Sequence, residues 1–199
     1  MTSSRVRKVI ALVNLKGGVA KTTSSGYFAE SLYQGGPYPV TAIDTDPERG
    51  FSNWHRACGM KYPLLEADSD SVVSVVKGIE GDVVIDTPPN DALIITKVCM
   101  VADEVFIPVS GTGQDINRLA RTLALVQDVE AMRDQPLHSV LLTNFHGQWR
   151  AGKDALDVLE QRGVAVLDAR IRHLARYVAF ARPSDLEEHI AVLKEVGVL

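Results

Sequence analysis

Val9-Ile10-Ala11-Leu12-Val13, followed at once by Asn14-Leu15-Lys16-Gly17-Gly18-Val19-Ala20-Lys21-Thr22-Thr23, decides how this chain folds. Five consecutive apolar residues rich in β-branched types fit a strand buried on both faces. The paired glycines then break the run. From about Lys21 to Gln34 the pattern is helical, and Gly35-Gly36 supplies a stop signal. Outward from this unit the same alternation recurs. Short apolar runs stand at Val40–Ile43, Val83–Ile85, Val105–Val109, Val140–Leu142 and Val164–Leu167. Helical stretches lie between them, at Leu93–Val101, Ile116–Met132 and Ala155–Gln161 among others. Asp185–Val196 reads as a closing amphipathic helix with Leu186, Ile190 and Leu193 inward. Continuous apolar strands alternating with helices predict an α/β fold: a doubly wound, mainly parallel sheet with helices on both faces.

Composition narrows the classes. A length of 199 residues with 46% hydrophobic and 23% charged content predicts one globular domain over residues 1–199, without a linker or repeat. With Lys plus Arg at 21 and Asp plus Glu at 25, the net charge is −4, so any contact with a polyanion must come from a local patch. Two cysteines, Cys58 and Cys99, cannot form a disulfide framework and point to a reducing compartment. The apolar run after the basic N-terminus is too short for a signal-peptide core, and no run is long enough to span a bilayer. The cytoplasm is the expected location.

In a doubly wound fold, ligands bind beyond the carboxyl ends of the strands. The first strand ends in the Gly-rich turn. The second ends in Asp44-Thr45-Asp46-Pro47 and the third in Asp86-Thr87-Pro88-Pro89. One crevice therefore gathers three carboxylates, two lysines and a flexible turn. A Gly-rich turn between strand and helix lets backbone N–H groups converge on a phosphate, aided by the helix N-terminus. Lys21 is placed to reach the β- and γ-phosphates of a nucleotide, and the Thr22 hydroxyl to ligate Mg²⁺. Asp86, ending an apolar strand, fits a carboxylate that holds Mg²⁺ through water. The usual glycine before the lysine is Ala20 here, a residue that turns comfortably only where its φ is negative.

Lys16-Gly17-Gly18-Val19-Ala20-Lys21-Thr22-Thr23 resembles the deviant Walker A motif of the ParA/MinD superfamily, with its extra signature lysine. Asp44-Thr45-Asp46-Pro47 followed by Ser52-Asn53-Trp54 is similar to the partition branch, particularly small ParA-type members without an N-terminal helix-turn-helix domain. Asp86-Thr87-Pro88-Pro89 resembles the Walker B and switch segment. Ile107-Pro108-Val109 and the stretch from Ile171-Arg172 to Ala181-Arg182-Pro183-Ser184 fit more loosely. Glu48-Arg49 departs from the Gln-Gly often found in the family.

The resemblance implies an ATPase of weak intrinsic activity that uses ATP and Mg²⁺. It implies that Lys16 reaches across a two-fold interface to the partner's ATP, so that the ATP-bound form is a sandwich homodimer. Asp46 positions the attacking water and Asp44 supports the magnesium region; turn-forming by these aspartates before Pro47 is compatible with both roles. Asn144 and Pro183 become candidates for the adenine pocket. Non-specific DNA is the implied track, with a ParB-like or other cargo-bound adaptor stimulating hydrolysis and the ATP-bound protein on the nucleoid. Arg170, Arg172, Arg176 and Arg182, a run of four arginines without an acid, are the expected DNA surface. Placed on a helix, Arg172 and Arg176 share a face. Two other classes compete: a MinD-like membrane-surface ATPase and a metabolic P-loop enzyme acting on a small substrate. The segment after Pro183 carries one lysine among acids, which disfavours anionic lipid.

Other tempting residues point to packing. Cys99 lies in an apolar helix and reads as core, and Cys58 has no ligand-like spacing. The histidines lack the pairing of a zinc site, and Trp54 and Trp149 read as packing anchors.

Overall fold

A computed structural model of the chain describes residues 6–110, 113–135, 137–145, 159, 161, 163–173 and 181–199. In chain order the elements are β1 (Val9–Leu12), α1 (Lys21–Gly35), β2 (Val40–Asp44), α2 (Gly50–Cys58), β3 (Leu64–Glu66), α3 (Val72–Lys77) and β4 (Asp82–Asp86). They continue with α4 (Ala92–Cys99), β5 (Glu104–Ser110), α5 (Gly113–Arg133), β6 (His138–Phe145), β7 (Val166–Arg172) and α6 (Glu187–Glu195). The strands form one sheet in the order β3-β2-β4-β1-β5-β6-β7, and every pairing is parallel. The doubly wound parallel architecture expected from the alternation is what forms.

The sheet separates two apolar layers because successive strand residues point to opposite faces. Val9, Ala11, Val83, Ile85, Val105 and Ile107 pack with residues of α3, α4 and α5. Ile10, Leu12, Val84 and Phe106 pack with Tyr27, Phe28 and Leu32 of α1, with Phe51 and Trp54 of α2 and with Val192 and Leu193 of α6. Gly26 is where two helices of this layer meet. A Cβ there would lie 2.2 Å from Cζ3 of Trp54, so α1 can approach α2 only through a glycine. Cys99 and Trp54 are buried as expected, and burial pushes the Cys99 thiol up to about 12.

Some boundaries differ from the sequence expectation. The edge strand β3 was not foreseen; its three residues are exposed or half-buried and carry no apolar alternation. The last strand runs to Arg172 rather than stopping at Leu167, so Arg172 sits on a strand and not on a helix. On a strand, Arg170 and Arg172, two apart, share the exposed face. Arg176, Trp149 and most of the stretch Ala155–Gln161 lie outside the described residues.

The connection after β1 passes over β4 to reach β2, while the connection after β4 passes over β1 to reach β5. The two depart in opposite directions. A crevice therefore opens above the carboxyl ends of β1 and β4, where a topological switch places a ligand.

Candidate functional site

Residues 13–20 form the loop between β1 and α1. Gly18 has φ +74, and Ala20 also lies in the left-handed region, with φ +67 and ψ 28. The condition under which an alanine turns comfortably there, a negative φ, is therefore not met. The loop demands the conformation a glycine adopts freely, and an alanine there carries a strain of about 1 kcal/mol. Asn14, 4% exposed, secures the start of the loop: its Nδ2 donates to Pro108 O at 2.9 Å and its Oδ1 accepts from Lys16 N at 2.8 Å. Lys21, 6% exposed, turns its Nζ back over the loop to donate to Lys16 O at 2.9 Å. Gly17 and Gly18 are exposed at the loop's outer turn, and Lys16 is half-buried beside them.

The floor of the crevice is Asp86 at the end of β4. Both its oxygens face α1: Thr22 Oγ1 donates to Oδ2 at 2.7 Å and Ser25 Oγ to Oδ1 at 3.0 Å. Burial pushes this carboxyl up to about 7, assisted by the Asp44 charge and opposed by the two hydroxyls and Lys21. Burial likewise pulls Lys21 below its ordinary value, against the opposing pull of Asp86 and Asp46. A desolvated carboxylate next to a threonine hydroxyl is a donor set of hard oxygens suited to Mg²⁺. The residues present fit that ion.

Asp44 has a different place from Asp86. It is fully buried, and its carboxylate faces the next turn of chain, with Oδ1 accepting from Asp46 N at 3.0 Å and Oδ2 from both Ser52 N and Ser52 Oγ at 2.8 Å. Those contacts tie the end of β2 to the first turn of α2 and shape the bend that presents Asp46. Asp44, expected to support the magnesium region, thus gives both carboxylate oxygens to protein donors around the bend that carries Asp46. Asp46 itself is half-buried, and its Oδ1 accepts from Glu48 N at 2.9 Å, the turn-forming bond expected before Pro47. Arg49, left-handed at φ +55, braces the same bend by donating to Asp44 O at 3.0 Å and pairing with Glu66 at 3.2 Å.

Above these groups lies a cavity of about 560 Å³. Gly17, Gly18 and Ala20–Ser24 line it from the loop and α1, Asp46, Glu48, Thr87 and Pro89 from the turns after β2 and β4, and Asn144 and Ile171 from β6 and β7. The volume falls within the range of small-ligand sites. Asn144, at φ +51 near the end of β6, is thus one of the lining residues, next to Thr143, whose Oγ1 donates to Val19 O of the loop at 3.1 Å. Pro183 is buried, outside this lining, beside a contact in which Trp54 Nε1 donates to Ala181 O at 3.2 Å.

Arg170 is exposed on β7. Arg172 is exposed and paired with Glu188 of α6 through its Nε. Arg182 is half-exposed and pairs with the buried Glu30 of α1 at 3.7 Å. Glu188 also accepts from Arg172 N at 3.1 Å, and Glu195 accepts from Asp168 N and Ala169 N at 2.8 and 2.9 Å. The acids of α6 thus cap the outer edge of the sheet.

Four polar residues of the site were not singled out from the sequence: Asn14, Ser25, Ser52 and Thr122. Ser25 had a readable signal, since it lies one turn after Thr22 and faces the same carboxylate. Ser52 stood within the motif after Pro47 with nothing to mark its partner, and Thr122 had no signal, because the partners of both come from other elements.

The profile of the CobQ/CobB/MinD/ParA nucleotide binding domain matches residues 10–182. The carboxysome distribution maintenance protein A of Halothiobacillus neapolitanus is 26% identical over 176 residues, covering 84% of this chain and 81% of that protein. The protein ParA of Rhizobium radiobacter is 27% identical over 142 residues, covering 68% and 64%. Among solved structures, a Cyanothece McdA variant in complex with ATP superposes with a TM-score of 0.76 at 17% identity, covering 97% of each chain. At that identity the likeness is one of fold.

Proposed function

The chain belongs to the CobQ/CobB/MinD/ParA nucleotide-binding family, and from that premise we propose that it is a partition or positioning ATPase that works as an ATP-dependent homodimer on DNA. In this reading the Gly17–Ala20 amides and Lys21 hold the phosphates of ATP, while Thr22 and Asp86 hold Mg²⁺. The ion supplies charge neutralisation at the phosphates. Asp46 orients the attacking water from the opposite wall, and Asp44 with Ser52 holds Asp46 in place. Asn144 and Ile171 border the base.

The observation that carries the reading is the presence of two lysines in one loop with different exposure. Lys21 is 6% exposed and serves the cradle from within. Lys16 is half-buried on the loop's outer turn, where a second subunit could present its own nucleotide. A cation shared between subunits links the presence of phosphate to association. A cargo-bound adaptor then stimulates hydrolysis and release in the cytoplasm, with the ATP-bound form on the nucleoid. Arg170, Arg172 and Arg182, with Arg176, supply phosphate contacts that a two-fold dimer doubles. The acids of α6 and their bonds to β7 argue against that helix as a lipid anchor.

The test is size-exclusion chromatography with a non-hydrolysable ATP analogue, followed by DNA co-sedimentation. Wild type should shift to a dimer and pellet with unrelated DNA sequences alike. Lys16→Ala should weaken the dimer about tenfold or more, as expected for a lost charge-assisted bond, while monomer nucleotide binding changes little. A wild type that stays monomeric with nucleotide overturns the reading.

A further inference from the structure

The backbone that carries Lys16 is held more completely than a surface loop requires. Leu15 N donates to Thr122 Oγ1 of α5 at 3.2 Å, and Leu15 O accepts from Asn90 N at 3.0 Å. Lys16 N donates to Asn14 Oδ1 at 2.8 Å, and Lys16 O accepts from Lys21 Nζ at 2.9 Å. Both N–H groups and both C=O groups of these two residues are thus engaged by partners from different parts of the chain. Thr122 is the contributor that comes from α5, on the far side of the chain from the phosphate cradle in sequence, and it does not line the cavity. It is fully buried in the middle of α5, and its hydroxyl acts twice, accepting from Leu15 N and donating to Asn14 Oδ1 at 3.2 Å. A hydroxyl is the small side chain able to do both at one atom.

We propose that Thr122, acting through Asn14, is a positioning residue for Lys16, so that the placement of α5 sets the direction in which this lysine leaves the loop. Thr122 bonds directly to the peptide before Leu15, reaches the Lys16 N–H after it only through the Asn14 side chain, and does not line the nucleotide cavity. Its influence therefore falls on the lysine's outward aim more than on the phosphate cradle. Arg121, the neighbouring residue on α5, is exposed, so a contact made at the surface of α5 has a short rigid route to the same loop. The proposal rests on the interfacial role of Lys16 stated above, and its test separates the two.

Thr122→Val keeps the shape and removes the hydroxyl, leaving a buried N–H without its acceptor, whereas Thr122→Ser restores the hydroxyl. The first measurement is amide hydrogen exchange of Leu15 and Lys16 in the nucleotide-free monomer. Exchange should accelerate about tenfold in Thr122→Val and return toward wild type in Thr122→Ser. The second is dimerisation with the non-hydrolysable ATP analogue, which should weaken about fivefold to tenfold in Thr122→Val, more than monomer nucleotide affinity does. Adding Thr122→Val to Lys16→Ala should cause no further loss of dimer, whereas a purely structural effect would add. Unchanged exchange in Thr122→Val overturns the proposal, as does a fully additive double variant. A wild type that never dimerises overturns the interfacial reading of Lys16, and the exchange experiment still decides whether Thr122 holds the loop.

Discussion

The crevice above β1, β2 and β4 and the outer edge formed by β7 and α6 both pair carboxylates with donors, but they do so in opposite surroundings. In the crevice Asp44 and Asp86 are at most 1% exposed, and their oxygens are engaged by hydroxyls and backbone N–H groups. At the edge the side chain of Arg172 is 62% exposed, against 14% for its partner Glu188. Water reaches the edge pair from its arginine side and is largely excluded from the crevice. The same kind of contact therefore carries far more free energy in the crevice than at the rim. The lesson is that the polar groups of the crevice define the chemistry, while the charges of the edge tune contacts and cap a strand.

Substitutions in the crevice should have the largest effects. Lys21→Ala should lower nucleotide affinity by about 100-fold, since it removes the buried counter-charge to the phosphates. Asp46→Ala should leave binding largely intact while stimulated turnover falls by ~10²-fold, the size typical of a lost positioning or acid–base group. Titration calorimetry and a phosphate-release assay separate the two, and equal losses of binding in both would erase the division of labour between the walls.

Glu104 sharpens the contrast from the far end of the sheet. It opens β5, and burial pushes its carboxyl from 4.5 up to about 7, with the Ser139 hydroxyl at 3.3 Å offering partial relief. Because the folded state binds this proton more tightly than the unfolded state, stability from this group is fully present below about 4.5. It is lost as pH rises through about 7. Glu104→Gln should remove that slope and raise the melting temperature by roughly 3 °C at pH 8, with little change at pH 4.5. Thermal melts across that range check it, and an unaltered slope would assign the pH dependence to another group.

The smallest effect belongs to the rim. Glu188→Gln removes the charge that competes with phosphate for Arg172, and should strengthen DNA binding by the ATP-locked dimer about twofold to threefold. The cost in stability should stay under about 1 kcal/mol, because the arginine side of this pair is well exposed. A salt titration of DNA binding reads the first effect and denaturant unfolding the second. A loss of stability as large as that of a buried pair would break the comparison between rim and crevice.

Much of the site was legible as sequence because its parts are contiguous. A β-rich apolar run followed by paired glycines and two lysines defines strand, loop and helix within fifteen residues, and each of Asp44, Asp46 and Asp86 stands at or next to the end of an apolar run. The parallel sheet was legible for the same reason, since burial on both faces leaves continuous apolar strands. Less legible were β3, too short and too exposed for a hydrophobic pattern, and Arg172, whose strand continued past the end of its apolar stretch.

By itself, then, the sequence determined the alternating architecture, the phosphate cradle and the strand ends that face it, because each follows from neighbouring residues and local periodicity. Tertiary structure alone decided that Ala20 is held left-handed and that Asp44 turns its lone pairs to Ser52 and Asp46. It also decided that Arg172 meets Glu188 and that Thr122 reaches Leu15 across 107 positions of chain. Those outcomes depend on which elements the packed sheet brings side by side, and nothing local to any one of these residues specifies its partner.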